Sequence, residues 1–198
     1  MRKLVLLFAT VIAVSTVVFS PVTSSAAAVA LHAPVTFGSA SPDFDKAAAA
    51  YCTATGGLVE TRVAVYGSNG NQLLFLAGIR QFCQYTAKDG SRIHLLTTTL
   101  YAQKPTLAAL AYYAQVPIGS CNGNPASCYC TLLGGSDQFG GTTGAGGGWY
   151  LKGAIDETLE ACIFPDESSI DSWGLTYHSA GIIRGKNLAK VLRFHNPY

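Results

Sequence analysis

A short cysteine-containing motif occurs twice in the chain and constrains its fold more than any other feature. Tyr51-Cys52-Thr53 is closely followed by Gly56-Gly57, and Tyr129-Cys130-Thr131 is followed in the same way by Gly134-Gly135. Both the cysteine and the first glycine of the second copy lie 78 residues after their counterparts. A constant offset at two landmarks predicts an internal duplication of the chain.

Each copy of the motif is expected near the end of a short helix. Ser41 and Asn124 are favourable N-caps, each is followed by proline, and the glycines suit the left-handed residue that ends a helix. Residues 58–66 are predicted to form a strand with Glu60 and Arg62 on its polar face. Residues 72–86 are predicted as a longer strand or as a pair of strands broken near Gly78. Residues 92–102 are predicted as a further strand, and 105–115 as a helix.

The predicted fold class is therefore α+β, with two small tandem repeats that are each a helix followed by an antiparallel β-meander, stabilised by disulfides. We expect the first repeat over 41–116, a linker over 117–123 and the second repeat over 124–198. The linker is indicated by its proline, glycine and serine content.

The N-terminal segment is typical of an export signal. Residues 1–30 combine Arg2 and Lys3 with an apolar run and a series of small residues, and the run is shorter than the ~20 residues of a membrane-spanning helix. Residues 31–40 are expected to be a flexible lead-in. We therefore expect an exported protein, periplasmic or extracellular, with no stable membrane span once the signal is cleaved.

Six cysteines follow the signal, and an even number in an exported chain indicates disulfides. Six cysteines can pair in many ways, but Cys162 follows Cys83 by 79 residues, so the duplication restricts the choice. A metal site or a free catalytic thiol are the alternatives, and no Cys-x-x-Cys spacing supports a metal. The predicted pairs are Cys52 with Cys83, Cys130 with Cys162, and Cys121 with Cys128.

Composition narrows the classes of partner. Hydrophobic residues make up 49% of the chain and charged residues 12%, which is enough apolar material for a core. The net charge is only +2 and the basic residues are scattered, so nucleic acid is not expected as a partner, and an unknown protein or small ligand is. Four basic residues near the C terminus are interpreted as a solvated face: Arg184, Lys186, Lys190 and Arg193.

Residues that could carry chemistry are few. His94 and His178 could each activate a cysteine nucleophile, but the predicted disulfides occupy the cysteines. Asp166 is expected to stabilise a turn, as is Asp89 in the first copy, rather than to form a catalytic pair with Asp171. The other acidic group is Asp156, Glu157 and Glu160. We predict no catalytic, metal-ligating or cofactor-binding residue.

A glycine-rich stretch over 140–148 superficially suggests a phosphate-binding loop. It lacks the Gly-Lys-Ser/Thr ending of such loops and is not placed between a strand and a helix. We interpret it as a surface loop that could bind a ligand. The candidate binding residues are Gly140, Thr142, Thr143, Gly146 and Trp149.

The second copy contains a run of short motifs: Asn124-Pro125-Ala126, Tyr129-Cys130, Gly134-Gly135, Cys162-Ile163-Phe164-Pro165-Asp166, Ser168-Ser169-Ile170 and Trp173. With these motifs it resembles a small exported bacterial domain of unknown function whose members are described as haemolysin-like. The resemblance spans residues 124–173 and departs from the family pattern at Glu167, where the family has glycine. It implies no catalytic residue, cofactor or metal.

The first copy matches this pattern weakly, because Gln84-Tyr85-Thr86 replaces its Phe-Pro step. These features favour a binding or inhibitor-like module over an enzyme. The alternatives are a haemolysin-like, membrane-acting factor and, third, a hydrolase that uses histidine or aspartate.

Overall fold

The structure is a computed structural model, and it describes residues 41–67, 72–137 and 146–196, all of which belong to the unit Gly38–Tyr198. The predicted signal over 1–30 and the lead-in over 31–40 lie outside the described residues. So do Gly140, Thr142 and Thr143 of the glycine-rich stretch.

The described residues form a mixed helix and sheet fold, as the sequence predicts. The helices are α1 (Pro42–Ala54), α2 (Thr97–Tyr101), α3 (Leu107–Ala114), α4 (Pro125–Leu132) and α5 (Ser172–Ser179). The strands are β1 (Leu58–Tyr66), β2 (Leu74–Thr86), β3 (Arg92–Leu96), β4 (Gly147–Leu151), β5 (Ala154–Leu159), β6 (Ala161–Ile163) and β7 (Ser169–Asp171). A short 3-10 helix over Leu188–Lys190 precedes the C terminus.

The seven strands form one antiparallel sheet in the order β5-β4-β1-β2-β3-β7-β6. Strands β5 and β6 are at opposite ends of this order, yet only Glu160 separates them along the chain. The sheet must therefore curl until its two edges come together at Glu160. The curl gives the sheet an inner and an outer face.

Each face of the curled sheet carries a buried core, whereas the first half of β2 is exposed. The helices cover the outer face, and this core takes residues from both predicted repeats, including Leu95, Leu100, Tyr129 and Ile170. The inner core contains strand residues packed on one another: Ala64, Phe82, Leu96, Trp149, Leu159 and Ala161. Because the two halves share a sheet and a core, the division into tandem repeats stays a prediction.

The end of α1 and the end of α4 have the same local geometry. Gly56 and Gly134 have φ angles of 85° and 84°, in the left-handed region that glycine tolerates. The next glycines donate from N–H to the carbonyl oxygens of Cys52 and Cys130, in both cases at 2.9 Å. The predicted caps are confirmed, since the side chains of Ser41 and Asn124 accept backbone hydrogen bonds at 3.3 and 2.9 Å.

Two disulfides link these helix ends to the sheet, and a third joins α4 to the segment before it. The bonded pairs are Cys52–Cys83, Cys121–Cys128 and Cys130–Cys162, the pairing that the sequence predicts. Cys83 is paired in the sheet with Leu95, and Cys162 with Ile170. Leu95 and Ile170 are in turn paired with each other across β3 and β7. The two disulfide-linked units thus meet in antiparallel orientation along this seam.

The predicted strand over 92–102 is wrong in its second half, because the strand ends at Leu96 and α2 follows. The run of three threonines favours a strand locally. Tertiary contacts override this preference: the hydroxyl of Thr97 donates to the carbonyl of Gln81 at 3.3 Å, and that of Thr99 accepts from the N–H of Ser169 at 3.1 Å. Helix α2 thereby closes one end of the sheet.

Candidate functional site

A cluster of polar and charged side chains lies inside the curled sheet. None of its members is more than 9% exposed. They come from three neighbouring strands and from the N-cap of α5: Glu60, Arg62, Gln84, His94 and Asp171. The sequence places Glu60 and Arg62 on a solvent-facing side of β1, and this expectation is wrong because the sheet closes over that face.

Arg62 is the centre of the cluster and is 1% exposed. Its guanidinium contacts the Oε2 atom of Glu60 through Nε at 2.9 Å and through Nη2 at 2.7 Å. Its Nη1 atom donates to the carbonyl oxygens of Trp149 and Glu157 at 3.0 and 2.6 Å. One side chain therefore joins β1 to both β4 and β5.

The ring of His94 lies between Gln84 and Glu60 on one side and Asp171 on the other. Its Nε2 atom is 3.0 Å from the amide oxygen of Gln84 and 3.5 Å from Oε2 of Glu60, and its Nδ1 atom is 3.4 Å from Oδ2 of Asp171. Burial alone would lower the pKa of His94, but the hydrogen bonds to Asp171 and Glu60 outweigh burial and raise the pKa above its ordinary value. The surroundings thus favour the imidazolium form, which donates from both nitrogens.

The carboxylates complete the balance of charge. Burial alone would raise the pKa of Glu60, but its contacts with His94 and Arg62 lower it below the ordinary value. Asp171 also accepts from the N–H of Gly174 at 2.8 Å and so caps α5. With His94 protonated, two cations face two carboxylates, which reduces the cost of burying each charge.

Chemically, this arrangement stabilises charge inside the sheet. The two ring nitrogens of His94 contact Gln84, Glu60, Arg62 and Asp171, and none of these contacts is to a hydroxyl or thiol. A histidine-activated nucleophile requires such a contact. The cluster therefore has the geometry of a lock between strands, and it gives no support to the hydrolase alternative.

The sequence singles out His94 but misses the residues around it. Glu60, Arg62 and Gln84 each look like an ordinary polar residue on the solvent side of a strand. The available signal was the repetition of such residues at alternate positions on strands that are consecutive in the sequence. That signal identifies a shared face but does not show that the face is buried.

The cysteine and histidine pairing considered from the sequence is not formed. All six cysteines are in disulfides. Cys83 and Gln84 point to opposite faces of β2, so His94, which contacts Gln84, lies on the other side of the sheet from Cys83.

His178 is a buried core residue on α5. Its ring stacks on that of Tyr112 with centroids 3.7 Å apart, and it contacts the side-chain amide of Gln115 at 3.0 Å. Burial lowers the pKa of His178, which favours the neutral ring.

The turn role predicted for Asp166 is confirmed. Its Oδ1 atom accepts from the N–H of Ser168 at 3.1 Å, and its Oδ2 atom accepts from the N–H of Leu107 at the start of α3 at 2.8 Å. Asp89 accepts in the same way from the N–H of Ser91 at 2.9 Å.

The acidic residues Asp156, Glu157 and Glu160 each have different surroundings. Glu157 pairs with Arg92 at 2.9 Å near the surface, and Glu160 accepts from the side chain of Asn124 at 3.1 Å. Asp156 is exposed. The group Asp156, Glu157 and Glu160 therefore does not form a pair of carboxylates directed at one point.

Of the candidate binding-loop residues, Gly146 and Trp149 are described. Gly146 directly precedes β4. Trp149 is 7% exposed and packs against Phe82 with ring centroids 5.4 Å apart. The Trp149 ring is thus part of the inner core.

Three of the four basic residues near the C terminus lie against tyrosine rings rather than projecting freely into solvent. The distances from the charged group to the ring centroid are 4.9 Å for Arg184 and Tyr177, 5.1 Å for Lys186 and Tyr85, and 4.1 Å for Arg193 and Tyr101. The three tyrosines belong to different elements. The basic residues therefore do not form one patch.

Several large apolar side chains in the first half of β2 are exposed. Leu74 and Phe75 are each 63% exposed, Leu76 is 40% exposed and Ile79 is 60% exposed. Strand β2 pairs with β1 on both sides of a register shift over residues 76–78, but its pairing with β3 starts only at Phe82. Within the described ranges, no strand pairs with Leu74–Arg80 on the side away from β1.

Two further features are absent from the part of the chain that the structure describes. No helix there has the length and apolar character needed to cross a membrane. No group of three or more His, Cys, Asp and Glu side chains there is arranged to hold a metal ion. Comparison of the chain with protein-family models, with curated proteins and with solved structures finds no match.

Proposed function

We propose that the protein is an exported binding module that takes up an extended segment of a protein partner along the free edge of β2. The observation that carries this proposal is the exposed, apolar stretch Leu74–Arg80, which lacks a second neighbouring strand among the described residues. The disulfides are compatible with export, since such bonds persist in oxidising compartments.

Strand addition is the mode of binding that this edge suits. Its outward backbone groups can continue the hydrogen-bonding ladder of the sheet, and its side chains offer apolar contacts on both faces. Sheet edges that must stay free are usually protected by lysine, proline, an inward-pointing charge or a β-bulge. The stretch Leu74–Arg80 has a register shift between Phe75 and Ile79, but it has no lysine or proline, and Arg80 is its only charged residue.

These properties define the chemistry of the partner segment. It should be extended, with apolar side chains on both faces to match Leu74, Phe75 and Ile79. An acidic side chain at the end near Arg80 would complement the one charge on the edge.

The proposal is tested by binding measurements on the full chain with one substitution at the edge and one elsewhere. Proteins captured from the compartment to which the chain is exported would be identified, and backbone amide exchange measured with and without each one. We expect a partner to slow exchange over Leu74–Arg80 and Ile79→Lys to weaken binding at least tenfold. Leu132→Lys is the matched control, because Leu132 is 56% exposed on α4.

Equal binding by the two variants, or no protection of the edge amides, would overturn the proposal. The haemolysin-like alternative predicts a different result, namely leakage from phospholipid vesicles that the wild-type chain causes and Ile79→Lys abolishes. Such leakage, without a captured partner, would assign the exposed edge to a membrane-acting factor instead.

We also propose that the chain arose by tandem duplication of one unit. The matching helix ends, the equivalent Cys52–Cys83 and Cys130–Cys162 bonds and the antiparallel seam between β3 and β7 support this proposal. In each unit the cysteine lies in the strand that precedes the seam strand, namely β2 or β6, and a helix directly follows the seam strand.

A further inference from the structure

A cleft lies where the start of α1, the end of α2 and the C-terminal segment come together. It has a volume of about 490 Å³ and is open to solvent. Ligand sites for small molecules typically have volumes of about 300–1,000 Å³. The residues that line it are Phe44, Tyr101, Ala102, Gln103, Lys104 and Arg193.

Two lining side chains are cations that the described residues leave without an acidic partner. Neither Lys104 nor Arg193 forms an ion pair with any carboxylate in the described ranges. Lys186, which also lies on a tyrosine ring, differs because its ammonium group donates to the carbonyl oxygen of Thr55. The positive charges in the cleft are thus available to a ligand.

The Arg193 guanidinium is held in place before any ligand arrives. It lies 4.1 Å from the centroid of the Tyr101 ring, and the backbone N–H of Arg193 donates to the carbonyl of Leu100 at 3.0 Å. A guanidinium placed over an aromatic ring still has N–H groups that can bind an anion with two parallel hydrogen bonds. Little side-chain freedom remains to be lost on binding.

The aromatic wall of the cleft is equally fixed. The ring of Phe44 meets that of Tyr101 edge-on with centroids 5.3 Å apart, and Tyr51 lies 5.6 Å from Tyr101 on the same helix as Phe44. The apolar surface of Phe44 thus faces the same space as the cations of Lys104 and Arg193.

We propose that this cleft binds a small organic anion, with its carboxylate or phosphate group on Arg193 and Lys104 and a flat apolar group against Phe44. The site is separate from the edge of β2, so this inference does not depend on the proposed strand addition.

The test uses the full chain with four simple probes in NMR titrations that follow the backbone amides of residues 100–104 and 193. Phenylacetate and phenyl phosphate each combine an aromatic ring with an anion, and the stronger binder identifies the preferred anionic group. Acetate lacks the ring and benzyl alcohol lacks the charge. We expect saturable shifts with one or both aromatic anions, and at least tenfold weaker binding of acetate and benzyl alcohol.

Variants separate this site from general attraction of anions to a basic protein. Arg193→Gln should weaken binding at least tenfold, and Lys104→Gln, at an exposed position, should weaken it severalfold without affecting the fold. Arg184→Gln is the matched control, because Arg184 lies on the ring of Tyr177 outside the cleft and should bind the probes unchanged. Benzyl alcohol binding as tightly as phenylacetate, equal effects of the two arginine variants, or no shift at millimolar probe would each overturn the proposal.

Discussion

The buried cluster inside the sheet makes a quantitative prediction about stability. Arg62→Met keeps most of the apolar stem but removes the guanidinium that contacts Glu60 and the carbonyl oxygens of Trp149 and Glu157. Removal of one partner from a buried ion pair costs about 3–5 kcal/mol, because the other charge stays buried without its counter-ion. We therefore expect a loss of about 4 kcal/mol in the free energy of unfolding.

Urea denaturation followed by circular dichroism measures this loss. With a slope of about 2 kcal/mol per M, the midpoint should fall by about 2 M. Arg80→Met is the matched control, since Arg80 is paired with Arg62 on the neighbouring strand but is exposed, and it should change stability by no more than about 0.5 kcal/mol.

A second substitution tests the physical cause. Glu60→Gln in the Arg62→Met background removes the uncompensated carboxylate and should recover about 1–2 kcal/mol, within the range of coupling between contacting residues. A loss below about 1 kcal/mol for Arg62→Met, or strictly additive effects of the two substitutions, would refute the reasoning from charge balance.

Three further predictions concern individual positions. Because the pKa of His94 is higher in the folded state, its contribution to the free energy of unfolding should be complete below about pH 6.5 and lost as the pH rises through the folded-state pKa. His94→Gln should abolish this dependence of stability on pH in urea titrations at several pH values. Gly57→Ala and Gly135→Ala should each cost about 1–3 kcal/mol, since a β-carbon would lie 2.3 Å from Sγ of Cys83 or 2.4 Å from Sγ of Cys162. Gly119→Ala, whose β-carbon meets nothing within 4 Å, should leave the thermal midpoint unchanged, and equal effects at all three glycines would contradict the steric argument. Glu167→Gly should raise stability by up to about 1 kcal/mol, because Glu167 has a φ of 62°, and an unchanged or lower thermal midpoint would count against backbone strain there.

Features that depend on neighbouring residues were accessible from the sequence. The caps at Ser41 and Asn124 and the glycines after each helix are local signals, and the structure has them where they were predicted. The disulfide pairing was accessible for a different reason, because the repeated offset related Cys52–Cys83 to Cys130–Cys162 without any knowledge of the fold.

Features that depend on strand order were not accessible. The burial of Glu60 and Arg62 follows from the meeting of β5 and β6 at Glu160, and no local pattern on β1 contains that information. The same applies to α2, because the threonines that favour a strand are held in a helix by contacts with Gln81 and Ser169, which are distant in the sequence.

The seam between β3 and β7 has a consequence for any chain that carries a single copy of the unit. In this protein Leu95 and Ile170, which pair with Cys83 and Cys162 on their other sides, are each other's neighbours across the seam. A one-copy chain would present that strand as an open edge, and a second protomer offers the complementary edge related by a two-fold axis. Such a chain is expected to be a homodimer, and under the proposed duplication the covalent link between the two units makes the assembly independent of protein concentration.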